Sequence, residues 1–348
     1  MKNNVIPEDM QKIAEDLKDL LPNLSGKTIL ITGGAGFLGR YILSFLTFIN
    51  QGVLSAPCKI ICVDNFITGV KSMVDENNNL VMIQQDIKEP LKINEKVDYI
   101  LHAAGIAAPA FYSKFPLETI DVTTLGTRNI LELAVGKKVN SMVFFSSSEV
   151  YGDPDPKFIP TSETYNGNVS CTGLRACYDE SKRLAETLCV TYFRKFNLPV
   201  KTIRIFNVYG PGLRRDDARV VPSFVSDALY KKDIVILTDN STRAFCYISD
   251  IVDGIFRLLF SNLNGESVNV GNPNEEISMI DLAGKIVKKF NNQVKVMNRP
   301  PSGVYGKDNP KRRCPDIKKA EDFLGYRPKV DLDGGLDNFI SWARDNWA

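Results

Sequence analysis

The chain has 348 residues, 44% of them hydrophobic and 24% charged, and a formal net charge of +2. These proportions are those of an ordinary globular protein, and the length suits one large domain or two smaller ones. So small a net charge gives no field for nucleic acid or an anionic membrane, no apolar run approaches the ~20 residues of a spanning helix, and Met1-Lys2-Asn3-Asn4 leads into no signal-peptide core.

Residues 7–21 place Met10, Ile13, Leu17, Leu20 and Leu21 on one helical stripe. This predicts an extra helix before the first strand, packed on the main body or on a partner subunit. Residues 27–32 read as a strand, followed by Gly33-Gly34-Ala35-Gly36-Phe37-Leu38-Gly39. Gly33, Gly36 and Gly39 hold the spaced positions of a Gly-x-x-Gly-x-x-Gly turn, where glycine permits a tight bend, close approach to a pyrophosphate and helix-to-strand packing. The helix predicted over 40–48 aims its N-terminus at the phosphates. A second strand, 59–63, ends in Asp64. A carboxylate there accepts both ribose hydroxyls and repels a 2′-phosphate, which favours NAD over NADP.

The stretch 51–57 reads as a surface insertion. Strand 81–84 leads to Asp86-Ile87, at the position where such folds meet adenine; for Asp86 a simple turn acid is the plainer alternative. Strand 97–101 ends at His102, the single histidine of the chain. One histidine excludes a His-rich metal site, and no metal is expected. A Ser-His-Asp triad would have to use His102, which reads more plainly as a packing residue. A helix over 125–135 and a strand over 142–145 continue the alternation. The expected fold is α/β, a Rossmann-type doubly wound parallel sheet.

Ser141-Met142-Val143-Phe144-Phe145 is a buried-strand run that delivers Ser146-Ser147-Ser148-Glu149 to a strand's carboxyl end, where open α/β sheets bind ligands. A helix over 178–196 then carries Tyr178 and Lys182 four residues apart, on one face. A free phenol, with a pKa of about 10, is too high to act as a base at neutral pH. An adjacent ammonium favours the phenolate, and a drop of about three units, ~4 kcal/mol, is expected of a lysine together with a cationic nicotinamide ring. The expected catalytic set is Tyr178, Lys182, Ser147, Ser148 and Glu149; an arginine-paired strand-end charge is the plain alternative for Glu149. The expected cofactor contacts are Gly33, Gly36, Phe37, Leu38, Gly39, Asp64, Asn65, Asp86, Ile87 and Ala103, with Tyr178 and Lys182.

Strand 200–206 ends at Asn207-Val208-Tyr209-Gly210-Pro211, after which the alternation loosens. Arginines then recur, and their guanidinium forks suit phosphate and carboxylate. Arg219, Arg243 and Arg312 or Arg313 are the candidates, with Arg312 preferred. The domain reading is a helical extension over 1–25, an NAD-binding domain over 26–207 and a smaller, mainly substrate-binding α/β region over 208–348. Seven cysteines, odd in number and without paired metal spacing, read as reduced thiols of a cytoplasmic protein.

Gly33-x-x-Gly36-x-x-Gly39, Tyr178-x-x-x-Lys182 and Phe206-Asn207-x-Tyr209-Gly210-Pro211 resemble the extended short-chain dehydrogenase/reductases that modify nucleotide sugars. Within them the chain is most similar to UDP-glucuronate decarboxylases, which make UDP-xylose. The likeness includes Ser148-Glu149-Val150-Tyr151-Gly152-Asp153-Pro154, Arg175-Ala176-Cys177-Tyr178-Asp179-Glu180, Arg219-Val220-Val221, Thr242-Arg243-Ala244-Phe245 and Pro315-Asp316-Ile317. The chain departs from that pattern at Ser147 (threonine in the decarboxylases), Ala104-Gly105-Ile106-Ala107-Ala108 (Ala-Ser-Pro-Ala-Ser), Thr123 (asparagine) and Gly212 (arginine). Ser148 stands where the 4,6-dehydratases carry an aspartate.

The resemblance implies NAD, a UDP-linked sugar, a homodimer and a transient 4-keto sugar, with Tyr112, Arg175, Asn207, Arg219, Arg243 and Arg312 on the substrate. It leaves 4-epimerase, 4,6-dehydratase and C4-dehydrogenase activities as alternatives. A non-catalytic NAD-binding regulatory protein is a further one, against which the presence of both Tyr178 and Lys182 argues.

Overall fold

The computed structural model describes residues 6–70, 77–237, 241–300 and 309–347. The N-terminal helix α1 (Pro7–Asp16) starts with proline at its first turn, beside Glu8 and Asp9, where the missing N–H costs nothing and negative charge is favourable. It is shorter than the stripe predicts. Leu17 and Leu21 are still buried, but Pro22 cannot continue a helix, so a separate 3₁₀ turn (Leu21–Leu24) carries the stripe's end. Asp9 anchors α1, accepting hydrogen bonds from Tyr41 at 2.9 Å and Tyr247 at 2.8 Å.

The elements that follow are β1 (Thr28–Thr32), α2 (Phe37–Asn50), β2 (Lys59–Asp64), β3 (Leu80–Gln84), β4 (Tyr99–His102), α3 (Pro109–Lys114), α4 (Pro116–Asp121), α5 (Thr127–Lys137), β5 (Ser141–Ser147), α6 (Ala176–Phe196) and β6 (Val200–Ile205). Beyond them run β7 (Val208–Tyr209), α7 (Val220–Leu229), β8 (Ile234–Ile236), β9 (Thr242–Ala244), β10 (Cys246–Tyr247), α8 (Ile248–Leu259) and β11 (Ser267–Val270). The chain closes through β12 (Glu276–Ser278), α9 (Met279–Lys289), β13 (Val296–Asn298), β14 (Arg312–Arg313), α10 (Lys318–Leu324) and α11 (Leu332–Asn346).

Among the described residues, seven strands form one parallel sheet in the order β11-β6-β5-β4-β1-β2-β3. The expected doubly wound sheet is therefore present. Strands buried on both faces read as near-continuous apolar runs. Ile29 and Ile31 of β1 face one core with α1, α2 and α8, whereas Leu30 faces the other with Ile130, Leu131, Ala185 and Cys189. The order reverses between β1 and β4, which opens a crevice at the strands' carboxyl ends.

α2 begins at Phe37, inside the glycine motif, with Gly36 as its cap. α5 begins two residues later than predicted because a π-helical turn (Val122–Gly126) precedes it. On α6 the buried face is Ser181, Lys182, Ala185 and Cys189, while Leu184 is half exposed. The loosened C-terminal pattern resolves into short strands: β10 on β7, β9 between β12 and β14, and β13 on β8.

Candidate active site

One cavity of about 430 Å³ runs along the crevice, from the glycine turn to the strand end at Ser147. At its first end Gly33 has φ +73°, and a Cβ there would lie 2.6 Å from Ala104 Cα. A Cβ on Gly39 would lie 2.5 Å from Gly34 Cα, so the turn closes onto the helix only with glycine at both positions. The Asp64 carboxylate accepts from Ala35 N at 2.9 Å and Phe66 N at 2.8 Å. Burial pushes its pKa up, and these hydrogen bonds oppose the rise. Each oxygen keeps a lone pair for a diol. Asn65 donates to Asp86 at 3.2 Å, which joins the second and third strand ends. Phe37, Leu38, Ile87 and Ala103 also line the cavity. A bare backbone cradle, a helix N-terminus and an acid with spare acceptor capacity fit a dinucleotide.

At the other end, Tyr178 is 5% exposed and hydrogen-bonded to the Ser147 side chain. Lys182 donates to Phe145 O at 2.7 Å, and its Nζ lies 5.9 Å from the centre of the Tyr178 ring. The lowering expected of Lys182 together with a cationic nicotinamide ring has to work against burial. Burial pushes Tyr178 up to about 12; the Ser147 hydrogen bond lowers it, and Glu149 and Asp179 raise it. Burial also takes Lys182 down to about 8. The amine serves the strand carbonyl first, because a buried ammonium needs an acceptor more than it needs a neighbouring ring.

Glu149 sits between two guanidiniums. Arg175 Nη2 is 2.5 Å from one carboxylate oxygen, and Arg313 holds the other. Burial acts to raise the carboxyl's pKa, but Arg175 and Arg313 outweigh it and hold it below the ordinary value. The arginine-paired reading is thus what the geometry contains, and the pair also lines the cavity. Ser148 lines the same wall and is 4% exposed.

The expected substrate residues divide. Arg175, Asn207, Arg219 and Arg243 line the cavity. Asn207, with φ +36°, donates to Ala244 O at 3.0 Å, and Arg219 pairs with Asp217 at 2.7 Å while lying over the Phe37 ring. Arg243 is buried and donates to the carbonyls of Thr242, Pro310 and Lys311 and to the Asn309 side chain. Among the described residues no carboxylate pairs with Arg243. Burial, with Arg313 nearby, takes its pKa down to about 9.

Two expected positions are corrected. Arg312 pairs with Glu276 at 2.6 Å and is not among the lining residues; Arg313 takes the inward place. Neighbouring strand residues face opposite ways, so only one of the two can enter the cavity. Tyr112 also does not line it. Its ring stacks behind Tyr178, with centroids 5.3 Å apart, and its buried hydroxyl has no partner among the described residues. His102 is a core residue, bonded to Thr32 at 2.6 Å and Thr127 at 3.0 Å, with burial taking its pKa down to about 3.

Sequence reasoning passed over Asp179. It is 6% exposed, next to Tyr178, and 3.7 Å from Arg175 Nε. Its i, i+4 spacing to Arg175 is a signal only once the helix is seen to start at Ala176, two residues before the predicted start, with Arg175 as its cap.

The chain matches the NAD dependent epimerase/dehydratase family over residues 29–271. It is 38% identical to UDP-glucuronic acid decarboxylase 3 of Arabidopsis thaliana over 342 residues, covering 96% of this chain and 93% of the relative. Among solved structures it is similar to epimerase Mth375 of Methanothermobacter thermautotrophicus, with a TM-score of 0.83, 27% identity and 97% of each chain covered. It is also similar to a double mutant of DesIV, a dTDP-glucose 4,6-dehydratase of Streptomyces venezuelae solved with NAD and DAU bound, with a TM-score of 0.80 and 25% identity, covering 91% of this chain and 97% of that one. With the glycine cradle, the strand-end serines and the Tyr178–Lys182 pair in one crevice, and the match extending over more than half its length, the chain belongs to the NAD dependent epimerase/dehydratase family.

Proposed function

We propose that the protein is an NAD-dependent lyase that decarboxylates UDP-glucuronate to UDP-xylose through a transient 4-keto sugar. The observation that carries the reading is the Glu149 carboxylate held between Arg175 and Arg313 on the cavity wall that also holds Tyr178 and Ser147. An epimerase has no need of that clamp. The relative at 38% identity, named a UDP-glucuronic acid decarboxylase, supports the same choice.

Gly33, Gly36, Phe37, Leu38, Gly39, Asp64, Asn65, Asp86, Ile87 and Ala103 would hold the NAD, with Tyr178 and Lys182 beside the reacting end. When bound, NAD supplies a fixed positive charge and the acceptance and return of one hydride. Tyr178 takes the proton of the sugar 4-hydroxyl, and Ser147 and Ser148 orient that hydroxyl. Lys182, fixed by Phe145 O, keeps a positive charge behind the phenol. A 4-ketone makes the C5 carboxylate a β-keto acid, so the C5–carboxyl bond breaks, carbon dioxide leaves and its electron pair delocalises into an enolate. Ionised Glu149 orients a water that delivers the replacement proton to C5, and the hydroxide left takes up a proton from solvent. Tyr178 then returns its proton to the 4-oxygen. Arg243, buried among carbonyls, and Arg219 would bind the diphosphate.

Two assignments of wider scope belong to the same proposal. The assembly is a homodimer, supported by Leu117, Leu125 and Leu184, each at least half exposed on α4, the π turn and α6. Residues 26–207 are mainly the cofactor part and residues 208–348 mainly the sugar-nucleotide part, preceded by the extension over 1–25. No described helix is long and apolar enough to cross a membrane. The seven free thiols suit the cytoplasm.

The second reading is 4-epimerisation, favoured by the small residues Gly105, Ala107, Ala108 and Gly212 in the cavity wall, which leave room for a ring to turn. Incubation with a panel of nucleotide sugars, following product mass and NADH absorbance, separates the two. Loss of carbon dioxide from UDP-glucuronate supports the decarboxylase; an isobaric product rules it out.

A further inference from the structure

Glu149 and Asp179 share one guanidinium. Arg175 turns Nη2 to Glu149 at 2.5 Å and presents Nε to Asp179 at 3.7 Å, beyond hydrogen-bond length. Among the described residues, neither Arg175 Nε nor Asp179 Oδ1, both buried, has a hydrogen-bond partner. The two carboxyls are therefore treated unequally. Glu149 has two close cations, whereas Asp179 has Arg175 at 3.7 Å, Arg313 farther off, and an orphaned oxygen. An ionised carboxylate left with an unbonded oxygen in the interior is costly, and the neutral acid is far less so.

The charged and titratable groups that face Asp179 among the described residues are Arg175, Cys177, Tyr178 and Glu180 from its own helix and cap, Glu149 after β5, Arg313 on β14 and Tyr112 on α3, with Arg243 on β9 acting on Glu149 behind them. Three of them are guanidiniums that act on Glu149. With Asp179 neutral, the guanidiniums of Arg175, Arg313 and Arg243 outnumber Glu149 and, at Arg243, the more remote Asp153, so the cluster keeps a surplus of positive charge facing the cavity. With Asp179 ionised, Arg175 is divided between two carboxylates and that surplus shrinks.

We propose that Asp179 is a positioning residue that keeps its proton. Its neutral carboxyl seats Arg175 against Glu149 without neutralising the guanidinium, which leaves positive charge for the carboxylate of the incoming sugar. Asp179 acts through Arg175 and does not touch substrate, since it does not line the cavity. Burial first and repulsion from Glu149 second push its pKa up to about 8, which agrees with the geometry. The inference rests on the decarboxylase reading for the identity of the substrate carboxylate, but not for the proton.

The test is KM and kcat for UDP-glucuronate against pH, in the wild type and in Asp179→Asn. In the wild type KM rises about tenfold between pH 7 and 9, as one ionising group requires. In Asp179→Asn, which mimics the neutral acid, KM stays level and kcat at pH 7 stays within about threefold of wild type. A level KM in the wild type overturns the proposal even if the variant does not fold, and so does an unchanged rise in a folded variant. The infrared band of protonated carboxyls gives a readout without turnover. The wild type at pH 7 shows intensity that Asp179→Asn lacks; identical spectra overturn the proposal. If the wild type releases no carbon dioxide at any pH, the decarboxylase reading fails by itself and the infrared difference decides on the proton.

Discussion

Arg175 Nη2 stands 2.5 Å from Glu149 Oε1, with both side chains almost withdrawn from solvent. Removing one partner of a buried pair leaves the other charge uncompensated, which costs about 3–5 kcal/mol. Glu149→Gln keeps the shape and deletes the charge between Arg175 and Arg313. Thermal unfolding should show a loss of about that size, and carbon dioxide release should fall by about a hundredfold or more. A variant as stable and active as wild type would mean that the clamp serves neither fold nor chemistry.

Tyr178→Phe removes one oxygen and keeps the ring stacked on Tyr112. The phenol is the proposed proton carrier, so turnover should drop by roughly 10²–10⁴-fold while NAD still binds. Cofactor fluorescence titration checks the second half of that statement, and single-turnover product analysis the first.

The glycine cradle is a steric requirement. Gly39→Ala would put a methyl group 2.5 Å from Gly34 Cα, against backbone that cannot swing aside. NAD affinity should fall at least tenfold, or the turn should open and the melting temperature fall with it. Calorimetric titration with NAD measures the first effect and thermal unfolding the second.

Lys201 offers a test of stability away from the site. It is 2% exposed and donates to Ser141 Oγ at 2.7 Å, and burial takes its pKa from an ordinary 10.5 down to about 8. A base whose folded pKa is depressed binds fewer protons folded than unfolded between the two values. Stability therefore rises with pH through that window and carries the full penalty below it. The size is of the order of 3 kcal/mol. Lys201→Met should be more stable than wild type at pH 7, with the gap closing by about pH 10, in denaturant melts at several pH values. Ser141 loses no acceptor in the variant, because its hydroxyl donates to Leu259 O.

Much of the sheet was legible because parallel strands buried on both faces leave unbroken apolar runs, as at Ile29-Leu30-Ile31 and Met142-Val143-Phe144-Phe145. The glycine spacing placed the cofactor turn for an equally local reason. Across the chain the signal weakened. Arg312 and Arg313 belong to a two-residue strand, and no local pattern says which one faces in. Tyr112 reads as a site residue, yet its ring lies behind Tyr178 because stacking fills the space beneath α6. The phenol's high pKa was equally invisible, since it follows chiefly from burial and from Glu149, which the fold brings near.

The most direct measurement is turnover of UDP-glucuronate labelled in its carboxyl carbon, with NAD present and NADH monitored. The account predicts one labelled carbon dioxide for each UDP-xylose formed, with no lasting gain of NADH. Label retained in a C4 epimer, or one NADH accumulating per sugar consumed, would contradict it.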